Sequence, residues 1–439
     1  MADFAISADP AVQAQLDRLA MLSPGADVLG LERTATLLAR LGNPHRALPP
    51  VFHVAGTNGK GSTCAFLRAA LEAAGHKVHV YTSPHLVRFN ERIRLAGRLI
   101  DDALLAALLE EVLSIADGVS PSFFEVTTAA AFLAFSRVPA DACIIEVGLG
   151  GRLDATNVIE TPIVCGIAQL GLDHQQFLGD RIEQIAAEKA GIAKAGCPLL
   201  TLHYPDAEAE AIDRVARERG AVRLTRGEAW DVEVRGERLH YRDPTHAIEL
   251  PLPRLPGAHQ AGNAALAVAM LRHQQRLAVP DAALRTAIDS AEWPARLQQL
   301  ATGPLPEMLL AGSALWLDGG HNPAAGRAIA GFFRDRNASD RPFHIVLGML
   351  ANKDLSGFLE PFAGMDAHIW AVPVQGHAHH GAVAIASAAT AFGMGADSAD
   401  DPVQALRRIA VAHASATVLI GGSLYLAGTV LEANGTPPD

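Results

Sequence analysis

Positive charge is the first thing this chain is short of. Its 439 residues carry 36 Lys and Arg against 47 Asp and Glu, a formal balance of 36 − 47 = −11. That deficit argues against a general binder of nucleic acid or of anionic membranes, so any anionic substrate must be met by a local cluster of positive groups or by metal. Cysteine is rarer still. The four, Cys64, Cys143, Cys165 and Cys197, form no C-x-x-C pair, which points to reduced, cytosolic thiols and away from disulfides or a zinc site. No apolar run is long enough to span a bilayer: the longest, Thr417 to Leu431, is interrupted by Gly421-Gly422. The first twenty residues lack a basic start followed by an apolar core, so they do not read as a secretory signal. Aromatics are scarce at 5%, while Ala, Leu and Val are abundant, a composition suited to helices packed on parallel strands. The expectation is a cytoplasmic protein of two domains.

Against these absences stands VAGTNGKGST, residues 54 to 63. Gly56, Gly59, Lys60 and Ser62 fit G-x-x-G-K-x-[ST], a compact variant of the phosphate loop G-x-x-x-x-G-K-[ST]. An apolar run, Val51 to Val54, precedes it as a strand, and a helical pattern from about Ser62 to Ala74 follows. Glycines let the backbone close around a polyphosphate, with N–H groups and the helix N-terminus facing the anion. Lys60 would add charge near the β- and γ-phosphates, and Ser62 or Thr63 a hydroxyl near the phosphates and their magnesium. The alternative is a glycine-rich turn with an exposed lysine; with strand and helix in place, the motif reads as a nucleoside triphosphate site.

Short β-rich runs alternate with helical stretches. Strands are expected at Val51–Val54, Val78–Tyr81, Cys143–Val147, Ile163–Ile167 and Leu199–Leu202, and helices at Asp101 to Ile115 and Thr127 to Ser136. Such alternation calls for an α/β fold with a mostly parallel sheet covered on both faces. From about residue 222 to 250, VRL, WDVEV, RLHYR and HAIEL read as a small antiparallel element. After WPARLQ the looser stretch ATGPLPEM is taken as the interdomain connection, dividing the chain into 1–298 and 299–439. Alternation then restarts at Leu315–Leu317, His344–Leu347, His368–Val372 and Val418–Ile420, as expected of a smaller Rossmann-like unit.

Glu146 ends the apolar strand of ACIIEVGLGGRLDATN beside a glycine-rich turn. Ligands of parallel α/β sheets bind outside such strand ends, and a carboxylate there suits the magnesium of a phosphate loop, although it could also cap its own loop. IVCGIAQ leads into GLDHQQFLG, so Asp173 and His174 follow another strand end. His174 is either a metal ligand or a histidine bonded to backbone. Lys189, in IAAEKAGIAK, reads as a solvated lysine or a partner of Glu188.

The motifs GTNGKGST, TSPHLVRFNERIR, EVGLGGRLDATN, LDHQQFLG, EKAGI, WPARLQ and LDGGHNP occur in the order and spacing of bacterial folylpolyglutamate synthases. Across nearly its whole length the chain resembles the bifunctional dihydrofolate synthase/folylpolyglutamate synthase type, relatives of the Mur peptidoglycan ligases. The resemblance implies a P-loop Mur-ligase-like ATP-binding domain followed by a smaller Rossmann-like C-terminal domain. It implies ATP contacts at Asn58, Gly59, Lys60, Gly61, Ser62, Asn263, Arg296, Asp318 and His321. Ser83 and Glu146 match ligands of a first Mg2+ and His174 a ligand of a second, with Lys189 resembling a lysine carried as a carbamate that helps hold that second ion. Leu29, Gly30, Leu31 and Glu32, then Ser122, Phe123, Phe124 and Glu125, then Leu153, Asp154 and Ala155 match the segments around the pterin. Phe124 is suited to stacking on that ring, although a core phenylalanine would look the same. Gly319-Gly320 before His321 and Gln175-Gln176 after His174 depart from some relatives without removing a matched side chain.

The activity so implied is ATP-dependent addition of L-glutamate to 7,8-dihydropteroate and to tetrahydrofolates through an acyl phosphate, by a monomer with Lys60, Glu146, His174 and Lys189 in the chemistry. Two rivals are a Mur-type ligase acting on a UDP-sugar peptide and a nucleotide-dependent regulator that ligates nothing. An ordinary P-loop kinase is disfavoured by the second α/β domain.

Overall fold

The computed structural model describes residues 6–22, 29–336 and 341–439. Packing divides the chain into two units. The first runs to Arg254 and includes Gln260–Glu292; the second comprises Leu255–His259 and Trp293–Pro438.

Eight strands make the main sheet of the first unit. They are β1 (Val51–Ala55), β2 (Val78–Tyr81), β3 (Ile93–Leu95), β4 (Arg98–Leu99), β5 (Ala142–Glu146), β6 (Val164–Ile167), β7 (Pro198–Thr201) and β8 (Val222–Thr225), in the order β4-β3-β2-β5-β1-β6-β7-β8. All pairings from β2 to β8 across the sheet are parallel, and β3 and β4 close one edge as an antiparallel pair. The central strands β1 and β5 are buried at every position, the mark of a sheet covered on both faces. Val51, Tyr81, Cys143 and Ile145 join one core with the helices Asp102–Ser114 and Phe123–Arg137. The second of these starts before Thr127 because Ser122 caps it: its side chain accepts from Glu125 N while Glu125 reaches back to Ser122 N.

One element sits elsewhere than expected. The VRL segment is not part of the antiparallel element but the parallel edge strand β8, beside β7. A helix, Asp206–Arg219, ends at left-handed Gly220 and returns the chain beside β7 in the same direction, as a crossover connection requires. Alternating apolar and polar residues, as in VRLT, mark a half-exposed edge strand as well as a hairpin, so pattern alone could not separate them. The small sheet is therefore β9 (Asp231–Arg235), β10 (Arg238–Asp243) and β11 (His246–Pro251), antiparallel throughout.

The second unit carries a sheet ordered β12-β13-β17-β14-β15-β16, with β12 (Gln298–Gln299), β13 (Ala314–Leu317), β14 (Phe343–Leu347), β15 (Ala367–Ala371), β16 (Gly395–Ser398) and β17 (Thr417–Gly421). All pairings are parallel except β12 with β13. Because Gln298 and Gln299 pair with Leu317 and Trp316, WPARLQ folds with this unit and ATGPLPEM lies inside it. Phe333, Ile345, Leu347, Phe358 and Leu419 fill its core.

The four cysteines are buried and unbridged. Cys165 and Cys197 nonetheless bring their sulfurs to 3.9 Å, a closeness their separation in the chain does not suggest. Among the described residues no helix is long and apolar enough to cross a membrane.

Candidate active site

The phosphate loop joins β1 to the helix Lys60–Ala73 at the carboxyl edge of the first sheet. Gly59 caps that helix in the left-handed region, φ 83°, and a Cβ there would run into the Asn263 side chain. The first helical turn has no acidic residue, so its positive end stays available to an anion. Thr57 N and Asn58 N donate to Gln169 O at 2.8 and 3.1 Å, and Thr57 Oγ1 donates to Gly171 O at 2.9 Å. These bonds tie the loop to the segment after β6 that carries Asp173 and His174. Ser62 is buried, and Thr63 Oγ1 donates to Gly59 O within the helix.

Glu146, at the end of β5 and 4% exposed, faces the loop. Its Oε1 lies 4.0 Å from Lys60 Nζ, and Ser83 N approaches its Oε2 at 3.4 Å. Ser83 reaches this place because β2 runs beside β5, pairing Tyr81 with Ile145. His174 is left-handed at φ 51° and caps the short helix Gln175–Leu178; its Nε2 lies 3.9 Å from Asp173 Oδ1. Among the described residues no group of three or more His, Cys, Asp and Glu is placed to hold a metal. A carboxylate at the mouth of a phosphate loop fits Mg2+, which keeps several waters and leans on phosphate oxygens.

Lys189 is buried, 5% exposed, where a solvated side chain was one reading. The other reading, a pair with Glu188, meets a competitor: Arg152 Nη2 holds Glu188 Oε1 at 2.8 Å. Burial first, then the charge of Lys60, brings the Lys189 amine down to about 7, against the opposing pull of Asp173, Asp154 and Glu188. An amine in that range is uncharged in about half of the molecules near neutrality, and that form is nucleophilic. The link to Lys60, Asp173 and Asp154 also sets Lys189 in the same neighbourhood as the phosphate loop.

The segments expected around a pterin are joined by side chains. Arg33, next to Glu32, donates through Nε to Glu125 Oε2 at 2.9 Å, and its Nη2 lies 2.9 Å from Glu125 Oε1. This joins Leu29–Glu32 to Ser122–Glu125. Arg33 carried no motif signal; only the tertiary pairing reveals it. Phe124 lies against Gly148, where any side chain would collide with its ring, and the ring stands 5.9 Å from that of Tyr81. Phe123 points instead into the core. Leu153–Ala155 follow Gly148 in the same loop, and Asp154 is buried.

Asn263 packs on Gly59, as noted, and its Nδ2 donates to Gln260 Oε1 at 3.0 Å. Asn263 Oδ1 is buried without a hydrogen-bond partner, an acceptor that a ligand or water would satisfy. Arg296, Asp318 and His321 lie together in the second unit. Leu297 N and Gly320 N donate to the two Asp318 oxygens at 2.7 Å each, Arg296 Nη1 donates to Ala295 O at 2.9 Å, and His321 Nδ1 lies 3.0 Å from Gly319 O.

Residues 308–424 match the Mur ligase, glutamate ligase domain family. Over 406 residues the chain is 37% identical to the dihydrofolate synthase/folylpolyglutamate synthase of Escherichia coli K12, covering 92% of this chain and 91% of that protein. The chain belongs to the dihydrofolate synthase/folylpolyglutamate synthase family. Members of known structure share its fold: E. coli FolC in complex with DHPP and ADP superposes with a TM-score of 0.86 at 34% identity, over 97% of both chains. A bifunctional folylpolyglutamate synthase/dihydrofolate synthase with Mn, AMPPNP and L-glutamate bound superposes at 0.83 and 33% identity, over 96% of this chain and 97% of that one. A longer relative, a probable bifunctional folylpolyglutamate synthase/dihydropteroate synthase of Halobacterium salinarum, is 36% identical over 420 residues, 90% of this chain; the match spans 48% of that protein's length.

Proposed function

We propose that this protein is an ATP-dependent ligase that joins L-glutamate to 7,8-dihydropteroate and to the γ-carboxyl of tetrahydrofolates. The observation that carries the reading is Lys60 beside Glu146 at 4.0 Å, in a phosphate loop on the carboxyl edge of a parallel sheet, in a chain of this family. The relatives' bound ADP, AMPPNP, DHPP, Mn and L-glutamate support nucleotide, divalent cation, pterin acid and amino acid as its ligands.

A carboxylate is a poor acylating agent because its oxygen leaves badly. In the proposed reaction a carboxylate oxygen of the pterin acid attacks the γ-phosphorus of ATP, breaking the bond to the β-phosphate and releasing ADP. The amine of L-glutamate then attacks the acyl carbon, phosphate leaves with the C–O electron pair, and the amine gives up a proton. Asn58, Gly59, Lys60, Gly61 and Ser62 hold the phosphates, and Lys60 offsets charge that builds on the transferring group. Asn263 completes the nucleotide contacts from the first unit; Arg296, Asp318 and His321 are the contacts assigned to the second. The first unit supplies the phosphate loop and the folate site, and the second, whose main run begins at Trp293 rather than after Gln298, the glutamate ligase domain.

Ser83 and Glu146 are the residues that would hold one Mg2+, and His174 with a Lys189 carbamate a second. When bound, these ions supply charge neutralisation at the phosphates. Lys189 suits carbamate formation because its amine is buried and brought to about 7. Phe124 stacks on the pterin, bordered by Leu29–Glu32 and Leu153–Ala155. The protein acts as a monomer in the cytoplasm.

The test is purified protein with ATP, Mg2+ and labelled glutamate, offered dihydropteroate, tetrahydrofolate or a UDP-muramoyl substrate in turn. Glutamylated pterin products by mass are expected. Glutamate transfer to the UDP-sugar alone, or nucleotide binding without any ligation, would overturn the reading.

A further inference from the structure

Beneath the loop 148–157 runs a buried polar chain, His53–Thr156–Asp154, of which His53 and Thr156 have no part in the roles assigned above. His53 lies on β1, shortly before the phosphate loop, and is 0% exposed. Its Nε2 stands 2.9 Å from Thr156 Oγ1, and Thr156 Oγ1 stands 2.5 Å from Asp154 Oδ1. Asp154 also accepts Thr156 N at 3.0 Å and Leu149 N at 2.8 Å. Burial pushes the Asp154 carboxyl up, the converging donors oppose that, and the hydroxyl bond runs from Thr156 Oγ1 to Asp154 Oδ1. The Thr156 hydroxyl has one proton and gives it to Asp154, so His53 must supply the hydrogen between itself and Thr156. That fixes the imidazole as the Nε2–H tautomer. Burial holds His53 down to about 3, so it stays a neutral donor at any working pH.

The loop anchored by this chain touches two other groups. Gly148 takes the ring of Phe124 against its backbone, and Gly151 lies so close to the backbone of Glu188 and Lys189 that a Cβ would meet Glu188 O at 2.7 Å. Asn157 adds a further tie, donating through Nδ2 to Arg152 O at 3.0 Å and Gly191 O at 3.1 Å. A loop released from β1 would therefore carry the stacking surface of Phe124 and the Leu153–Ala155 segment with it.

We propose that His53 and Thr156 are positioning residues for the acid substrate: through Asp154 they anchor the loop 148–157 to β1, so that the pterin-facing surface stays in place. The nature of that substrate rests on the ligase reading; the anchoring does not. Neither residue touches the reacting atoms. Their loss weakens capture of the pterin acid more than capture of ATP, because the phosphate loop is held separately, by Thr57 and Asn58 on Gln169.

The decisive pair is Thr156→Val, which keeps the shape but can neither donate to Asp154 nor accept from His53, and Thr156→Ser, which can do both. In Thr156→Val, KM for dihydropteroate is expected to rise about tenfold or more while KM for ATP stays within about twofold; Thr156→Ser stays within about threefold of wild type in both. Hydrogen exchange followed by mass spectrometry supplies a readout free of turnover. The peptide covering 147–157 exchanges faster in Thr156→Val than in wild type or Thr156→Ser, and the 54–63 peptide does not change. The proposal is overturned if the two KM values rise together, if Thr156→Ser is as impaired as Thr156→Val, or if exchange of 147–157 is the same in all three. Should wild type ligate neither pterin, the ligase reading fails and exchange alone decides the anchor. If Thr156→Val does not fold, His53→Phe removes only the outer donor and gives the same split at about threefold; an unaltered split there overturns the proposal equally.

Discussion

Glu146 at the end of β5 and Asp318 just past β13 are both buried carboxylates at the carboxyl edge of a mostly parallel sheet, 4% and 5% exposed, and they are held differently. Asp318 takes a backbone N–H on each oxygen at 2.7 Å, from Leu297 and Gly320, and so fastens its own loop. Glu146 has Ser83 N at 3.4 Å and the Lys60 ammonium at 4.0 Å, both longer than a good hydrogen bond. A carboxylate beside an ammonium at the mouth of a phosphate loop is set where a cation would meet it, whereas one that takes an amide at 2.7 Å on each oxygen gives shape. The first unit extends the contrast. Lys189 is buried with its amine brought to about 7, on the order of 5 kcal/mol of lost charge stabilisation, and Asn263 Oδ1 has no partner. In the second unit the neighbouring polar groups are used locally: Asn322 caps the helix Pro323–Asp335 by accepting from Ala325 N at 2.9 Å. A buried lysine and an acceptor without a partner thus lie in the unit where the chemistry is proposed.

Removing Glu146 breaks the comparison most sharply. Glu146→Ala is expected to lower glutamate-dependent ADP release at least about 10^3-fold while leaving the fold intact. Substantial residual ligation contradicts this. Lys189→Ala is expected to fall about 10^2-fold or more and to recover in part with short carboxylic acids that mimic a carbamate; carbon-13 NMR of wild type in labelled bicarbonate should show the adduct. Absence of both rescue and adduct removes the carbamate.

For Asp318 the expectation reverses. Asp318→Ala strands two buried backbone donors and should cost about 2–4 kcal/mol in urea denaturation, more than Glu146→Ala costs. Equal stability losses would erase the distinction between the two carboxylates. The smallest effect concerns pH. Because the Lys189 amine sits at about 7 in the fold against an ordinary 10.5, its burial penalty is full below about pH 7 and gone above about pH 10.5. Apo Lys189→Met in CO2-free buffer should therefore be more stable than wild type at pH 7, with the gap closing as pH rises; a gap that does not vary with pH contradicts it.

Much of the first unit could be read along the chain because its signals are local. The phosphate loop needs only glycines and a lysine between a strand and a helix, and Glu146 needs only the end of an apolar run. What escaped was set by partners distant in the chain. β8 alternates as an exposed hairpin strand would, and its parallel neighbour shows only in the fold. β16 reads Gly395-Ala396-Asp397-Ser398, with no apolar alternation to mark it. Lys189 lies in a helix whose charged residues suggest a solvated face; its burial comes from Gly151, which lets that loop lie on the backbone of Glu188 and Lys189. The packing of Asn263 on Gly59 and the pairing of Arg33 with Glu125 are likewise tertiary, with no local motif.

The central claim is that nucleotide, divalent cation and pterin acid meet at one sheet edge around Glu146. Crystals grown with AMPPNP, Mn2+ and dihydropteroate, with anomalous diffraction locating the manganese, test it most directly. The account predicts a manganese peak within coordination distance of Glu146 and the Ser83 hydroxyl, with the pterin ring on Phe124. Manganese bound away from Glu146, or a pterin lodged elsewhere than beside the loop 148–157, would contradict it.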